Sequence, residues 1–259
     1  MSAGYHLSKI LEHAGAIAGI GPLAQRATQS PFDVFLSDNA LAINRARQAH
    51  LGSLGLAIER KAVLEVGAGI GLHTKFFLDR DCTVVVTDGN EENVSEIKRR
   101  HPGLRAERVD LDDDSDLAFL GSFDIVYCYG LLYHLADPDR ALKRMASVCT
   151  GTLLLETCVS LGRFSEVTFL EDFRSNNQAT TGIGCRPTRY WIMEKLKEHF
   201  GNAYHTATQP DHADFPLNWD MPETRLLYRA VFVGAKEPLA SPVLTTAIPR
   251  VQTRHVLRT

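Results

Sequence analysis

The chain is short of the features that mark secreted, membrane-spanning or nucleic-acid-coating proteins. Its cysteines (Cys82, Cys128, Cys149, Cys158 and Cys185) are odd in number and contain no CxxC pair, which argues against a disulfide framework or a zinc site. Cys82, Cys128 and Cys158 lie in or beside apolar, strand-like runs, so reduced and buried thiols in a cytoplasmic protein are expected. No apolar stretch approaches the roughly 20 residues that cross a bilayer. The first stretch, MSAGYHLSKILEHAGAIAG, carries Glu12 and His13 inside its apolar centre and lacks a basic start, so no secretory signal is expected. The formal net charge is −3, with both signs spread along the chain. That argues against a large nucleic-acid footprint, which shows as a basic face. Repeats and low-complexity blocks are absent as well.

What is present is enough for one substantial core: 259 residues, 44% of them hydrophobic. From 62 to 159 short β-rich runs alternate with helical patterns. Strand candidates are 62–66, 83–88, 104–110, 123–130 and 152–159; helix candidates lie near 71–80, 91–101, 114–120 and 137–148. Asp137-Pro138 reads as an N-cap with proline in the first turn. This alternation implies βαβ units and a doubly wound parallel sheet. Residues 160–185 show no convincing strand and read as a long insertion. A helix is expected from Arg186-Pro187 to Phe200, stopped by Gly201. Two last strands follow, at 203–209 and 226–235, separated by the loop 210–222, in which Phe215 and Trp219 point to packing. The tail from Pro238 has little core-forming pattern and is expected over the surface. The domain plan is an N-terminal helical extension (1–60), an α/β domain (61–235) and a tail (236–259). In 37–56 apolar residues recur at helical spacing.

The stretch VLEVGAGIGLHT, 63–74, places three glycines in five positions after a strand. Ligands of such sheets bind beyond the carboxyl ends of the strands, and bare backbone there admits close approach. A dinucleotide fingerprint wants a third glycine at position 72, which is Leu72, and no phosphate loop of the G-x-x-x-x-G-K-[ST] type exists. An acid, Glu65, precedes the glycines instead, which suits a ligand with an ammonium group. The second strand ends at Asp88, 17 residues after Gly71, where an acid can accept from ribose hydroxyls. The third ends at Asp110-Leu111, an acceptor for an adenine amino group beside an apolar side chain. Helix capping is the other role open to Asp110, since LDDDSD precedes a helix candidate.

Together, Glu65 to Gly71, Asp88, Asp110-Leu111 and the segment FDIVYCYGLLYHLADP resemble the class I S-adenosylmethionine-dependent methyltransferases, over roughly 60–235. The resemblance implies a Rossmann-like seven-stranded sheet with an antiparallel last strand, an N-terminal helical cap over the cofactor edge, and lid insertions at 160–185 and 210–222. It implies S-adenosylmethionine as cofactor. The methionine part would lie on Gly67, Ala68, Gly69 and Gly71, with Glu65 at the amino-acid end and His73, Thr74, Tyr129 and Gly130 as neighbours. The ribose would lie at Asp88, with Gly89 and Asn90 adjacent, and the adenine at Asp110 and Leu111.

The resemblance also puts acceptor-facing groups just past the fourth strand, so His134 and Tyr133 are the candidate catalytic residues. His134 would remove a proton from a hydroxyl acceptor; orienting the loop or capping the next helix is its other role, and packing is that of Tyr133. The amide-methylating signature N-P-P-[YF] is absent. Candidate substrate-binding residues are Glu156, Arg163, Arg186, Arg189 and Trp219; arginine forks bind carboxylate or phosphate. A metal set of His134, Glu156 and His212 has no supporting spacing, and no metal is expected. The function these residues imply is O-methylation of a small molecule: a sugar, a phosphorylated metabolite or a natural-product intermediate. YGLLYHLADP, LLLETCV and RPTRYWIMEKLKEHF also look like the tRNA uridine carboxymethyl-transferring enzymes, which makes nucleic-acid modification the alternative. A non-catalytic cofactor-binding protein is a further one. Whether 37–56 also makes a homodimer surface stays open.

Overall fold

A computed structural model describes residues 30–114, 116–171, 180–223, 225 and 227–255. A single turn, α1 (Asp33–Leu36), leads into α2 (Asp38–Ser53), capped by Ser37, whose hydroxyl accepts from the Ala40 amide at 3.3 Å. The expected helix in 37–56 is therefore present; the part of the extension before residue 30 lies outside the described residues. The buried residues of α2 are Ile43, Ala46, Arg47, His50 and Leu51, a stripe at helical spacing that includes two polar residues.

Alternation then sets in: β1 (Ala62–Val66), α3 (Thr74–Leu78), β2 (Thr83–Asp88), α4 (Glu91–Arg100), β3 (Arg105–Arg108), β4 (Phe123–Tyr129), α5 (Pro138–Val148) and β5 (Cys149–Val159). Asn90 caps α4, and Asp137 caps α5 by accepting from the Arg140 amide at 3.0 Å, with Pro138 in the first turn. Of the helix expected near 114–120, only a 3-10 turn, Ala118–Leu120, forms among the described residues.

Residues 160–187 depart from expectation. They contain a hairpin of β6 (Val167–Glu171) and β7 (Ile183–Pro187), paired antiparallel. The next helix, α6 (Arg189–Phe200), starts after Pro187 rather than at Arg186. Pro187 is still extended, and Thr188 is the cap, its hydroxyl accepting from the Trp191 amide at 3.2 Å and donating to the Phe164 carbonyl at 2.7 Å. One side chain thus starts the helix and ties down the hairpin.

Then come β8 (Asn202–Thr206), β9 (Thr208–Gln209), β10 (Tyr228–Ala235), β11 (Leu244–Thr245) and β12 (Thr253–Arg254). The main sheet runs β11-β8-β10-β5-β4-β1-β2-β3. Parallel pairing joins β3 through β5, and β10 enters antiparallel between β5 and β8. This is the expected seven-strand arrangement with one strand added at the edge, because the tail supplies β11. The tail is packed rather than merely draped. β12 pairs with β9, and the Arg254 guanidinium donates to the carbonyls of Pro210, His212 and Phe215 at 2.7–2.9 Å.

Helices cover both faces, as buried strands on a doubly wound sheet require. Leu142 and Met145 of α5 and Ile192, Leu196 and Phe200 of α6 pack on one face. Ile43 and Leu51 of α2, Phe76 and Phe77 of α3, and Val94 and Ile97 of α4 pack on the other. No helix among the described residues is long and apolar enough to cross a membrane.

Candidate active site

The carboxyl ends of β1, β2 and β4 frame two adjoining cavities. Register sets Glu65 beside Val86 of β2 and Tyr127 of β4, so three strand ends converge. The larger cavity, about 320 Å³, is lined by Glu65, Gly67, Ala68, Gly69, His73, Tyr129, Gly130, Tyr133 and His134 among others. The smaller, about 140 Å³, is lined by Asp88, Gly89, Asn90, Asp110, Leu111 and Thr180. Gly67 and His134 belong to both walls and mark where they meet.

The loop after β1 has the conformation its glycines permit. Gly67 and Gly69 sit at φ 62° and 59°, in the left-handed region. A Cβ at Gly69 would come within 2.6 Å of the Phe35 ring, and one at Gly67 within 2.6 Å of Leu131. The bare backbone is thus squeezed between α1 and the loop after β4. The Gly69 amide donates to Asp88 at 2.8 Å, and the same carboxylate accepts from the Asn90 amide and the Asn93 side chain, each at 3.0 Å. Burial pushes the Asp88 carboxyl up, against those three donors. Asp110 accepts from the Asp112 amide at 2.9 Å, a local turn that leaves it on the wall of the smaller cavity.

Glu65 is buried, and the Thr74 hydroxyl donates to it at 2.7 Å. Burial raises its pKa to about 7, over the opposing Thr74 bond. Thr74 and Gly71 lie behind the wall as supports, and neither lines a cavity. His73 is hydrogen-bonded through Nδ1 to the Tyr127 hydroxyl, and burial, with Arg47 nearby, lowers its pKa to about 3. It is a neutral wall of the cavity.

His134 ends a 3-10 turn, Leu132–His134, and its ring lies 4.0 Å from that of Tyr133. The Tyr133 hydroxyl accepts from Arg229 at 3.4 Å, and the guanidinium carbons of Arg186 and Arg229 each lie 5.1 Å from its ring centre. Burial raises the Tyr133 pKa despite Arg229.

The expected substrate-binding set divides. Arg186, at the end of β7, lines the larger cavity, and so does Leu170 of β6, while Thr180 lines the smaller. Arg163, Arg189 and Trp219 do not reach either. Arg163 pairs with Asp220 at 3.1 Å at the surface, and Arg189 stacks over Trp219 at 3.9 Å and donates to the Pro249 carbonyl. Trp219 is buried, donating to Gln252 at 2.6 Å. The chain turns from strand to helix between Arg186 and Arg189, which separates the two guanidiniums. The loop 210–222, expected as a second lid, lines neither cavity. Glu156 also lines neither; it is fully buried in an ion triad with Arg47 and with Arg229, the latter at 3.2 Å. Both carboxylate oxygens are thereby engaged, so it holds the wall rather than a substrate.

Arg47 of α2 and Arg229 of β10 both line the larger cavity and were missed from sequence. The signal was there: a charged residue on an apolar helical stripe, and an arginine inside the apolar run LLYRAVFVGA.

Residues 64–151 match the family described as a methyltransferase domain. The N-terminal domain of EvdMO1, solved in the presence of SAH and D-fucose, has a similar fold at 22% identity and TM-score 0.56, over 77% of this chain and 84% of that one. An S-adenosylmethionine-dependent methyltransferase from Mesorhizobium loti matches at 14% identity and TM-score 0.52, over 73% and 97%. An uncharacterized protein of Synechococcus sp. is 30% identical over 113 residues, 40% of this chain; the match spans only 27% of that longer protein. Residues 64–151 thus match a methyltransferase domain, and the chain has the class I, Rossmann-like fold seen in S-adenosylmethionine-dependent methyltransferases.

Proposed function

We propose that the protein is an S-adenosylmethionine-dependent methyltransferase acting on an oxygen of a small-molecule acceptor: a sugar, a phosphorylated metabolite or a natural-product intermediate. The observation that carries this reading is the pair of cavities meeting at Gly67 and His134. One is walled by the acids expected at ribose and adenine, the other by a glycine turn with a buried acid at its base.

The residues fit this cofactor. Side chains at Gly67 and Gly69 would run into Leu131 and the Phe35 ring, so the turn that walls the cavities needs both glycines. Glu65 receives an ammonium group, Asp88 the ribose hydroxyls, and Asp110 with Leu111 the adenine. S-adenosylmethionine supplies, when bound, a methyl group made electrophilic by its sulfonium. The protein's own part is alignment of the acceptor, exclusion of water and removal of one proton. His134, on the wall common to both cavities, takes that proton; Tyr133 packs beside it and holds its orientation. The β6–β7 hairpin contributes Leu170, Thr180 and Arg186 to the walls and acts as the lid. The same reading puts the protein in the cytoplasm, in keeping with five free, buried cysteines.

Turnover on a panel of hydroxylated acceptors tests it. His134→Ala should lower kcat by roughly 100-fold or more, the usual worth of a general base, while binding of S-adenosylhomocysteine survives. Unchanged turnover removes His134 as the base. No binding of the cofactor product by the wild-type protein removes the methyltransferase reading itself.

A further inference from the structure

The larger cavity has a positive wall greater than the cofactor's single α-carboxylate calls for. Three guanidiniums line it, from three separate elements: Arg47 on α2, Arg186 on β7 and Arg229 on β10. Arg47 and Arg229 are more than nine-tenths buried. Taking a guanidinium out of water is costly unless each is paired and its donors are used. Here one buried carboxylate, Glu156, serves both. A second acid, Asp214, reaches only the Arg229 Nε, at 3.7 Å, too long for a hydrogen bond. Arg186 uses one nitrogen on the Tyr133 and Cys185 carbonyls, which carry no charge.

The other groups facing the cavity do not restore the balance. Glu65 keeps its proton up to about pH 7 in the cofactor-free cavity and is taken up by the ammonium group once the cofactor binds, and His73 is neutral. Donors are also left over. Among the described residues the Nε atoms of Arg47 and Arg229 and the hydroxyl of Tyr129 are buried without a hydrogen-bond partner, and all three residues line this cavity. Bound S-adenosylmethionine brings a sulfonium and an ammonium group against one carboxylate, so it does not neutralise three guanidiniums.

We propose that this wall is an anion subsite: the acceptor carries a carboxylate or a phosphate that docks on Arg47, Arg186 and Arg229, with the Tyr129 hydroxyl as an additional donor. The inference rests on the methyltransferase reading, and it narrows the acceptor from any small hydroxyl compound to an anionic one. Glu156 is a positioning residue here. It holds one nitrogen of each guanidinium, and the others meet only the neutral Asn44 side chain and Tyr133 hydroxyl or no hydrogen-bond partner, so they can turn to a planar or tetrahedral oxyanion.

The test uses the full chain saturated with S-adenosylhomocysteine. Calorimetric titration with inorganic phosphate, with succinate and, at matched ionic strength, with sodium chloride separates the two oxyanion classes from a general salt effect. Tighter binding of phosphate points to a phosphorylated acceptor, and of succinate to a carboxylated one; either supports the subsite. Arg186→Met, which leaves the buried triad intact, and Arg229→Lys, which keeps its charge, should each weaken that binding by roughly tenfold or more. Each should lose more affinity for the oxyanion than for S-adenosylhomocysteine; equal losses of both overturn the proposal. Phosphate and succinate heats no larger than those of chloride overturn the proposal, as does faster methylation of neutral acceptors than of their anionic counterparts. If the wild type binds no S-adenosylhomocysteine, the underlying methyltransferase reading fails instead.

Discussion

Replacing Glu65 by glutamine removes one ionisation from the floor of the glycine loop without removing the acceptor that Thr74 uses. The native state holds the Glu65 proton up to about pH 7, whereas the ordinary value is 4.5, chiefly because burial penalises the charge. An unfolded chain releases that proton near the ordinary value. Below it both states are protonated and the group is neutral in its effect. As pH rises the unfolded state is increasingly favoured, until the native carboxyl also ionises near 7. From 4.5 to about 7, at about 1.4 kcal/mol per pH unit, the loss amounts to about 3 kcal/mol. Urea unfolding of the cofactor-free protein from about pH 5 to about pH 8 reads this directly. Wild type should lose about 2–3 kcal/mol relative to Glu65→Gln across that window. A wild-type-minus-variant difference that stays flat refutes the reasoning. An ammonium group bound at Glu65 favours the charged form, so affinity for S-adenosylhomocysteine should climb with pH up to about 7 in wild type, and not in the variant.

Further consequences follow from the same geometry. Glu156→Ala strands two buried guanidiniums and should cost about 3–5 kcal/mol in urea unfolding; a loss under about 1 kcal/mol means the triad is not as the structure has it. Gly69→Ala puts a side chain into the Phe35 ring at a left-handed φ, so stability should fall by at least about 1–2 kcal/mol, with weaker cofactor binding by calorimetry. Asp88→Ala removes the acceptor of the Gly69 amide and the expected ribose contact, and should weaken S-adenosylhomocysteine binding by roughly tenfold to 100-fold. Unaltered affinity would move the ribose elsewhere.

The parts of the site that could be read from sequence are those built by consecutive residues. Glu65 and Asp88 stand in the last positions of β1 and β2, and the glycines and Asp110 follow shortly after β1 and β3; a parallel sheet brings all such ends to one edge. Arg47 and Arg229 belong to segments far apart in the chain, and only folding sets them on Glu156. Glu156 itself, at the end of an apolar run, has the same appearance whether it meets a ligand or two buried arginines. Arg163 and Arg189 are close in sequence to the insertion and Trp219 lies in the loop 210–222, but folding pairs Arg163 with Asp220 and stacks Arg189 on the buried Trp219, away from both cavities. The β6–β7 hairpin has no readable alternation because its residues are mostly exposed or half-buried. Similarly, β11 and β12 are two residues each, too short for any periodicity; their pairing depends on β8 and β9 being in place.

The account turns on whether the two cavities beyond β1, β2 and β4 form one cofactor site. The most direct measurement is a crystal structure of the protein grown with S-adenosylhomocysteine. The adenosine should lie between Asp88 and Leu111, with the amino-acid end along Gly67 to Gly69 and its ammonium group at Glu65. Ligand density away from the glycine loop, or both cavities filled only by solvent at saturating ligand, would contradict it.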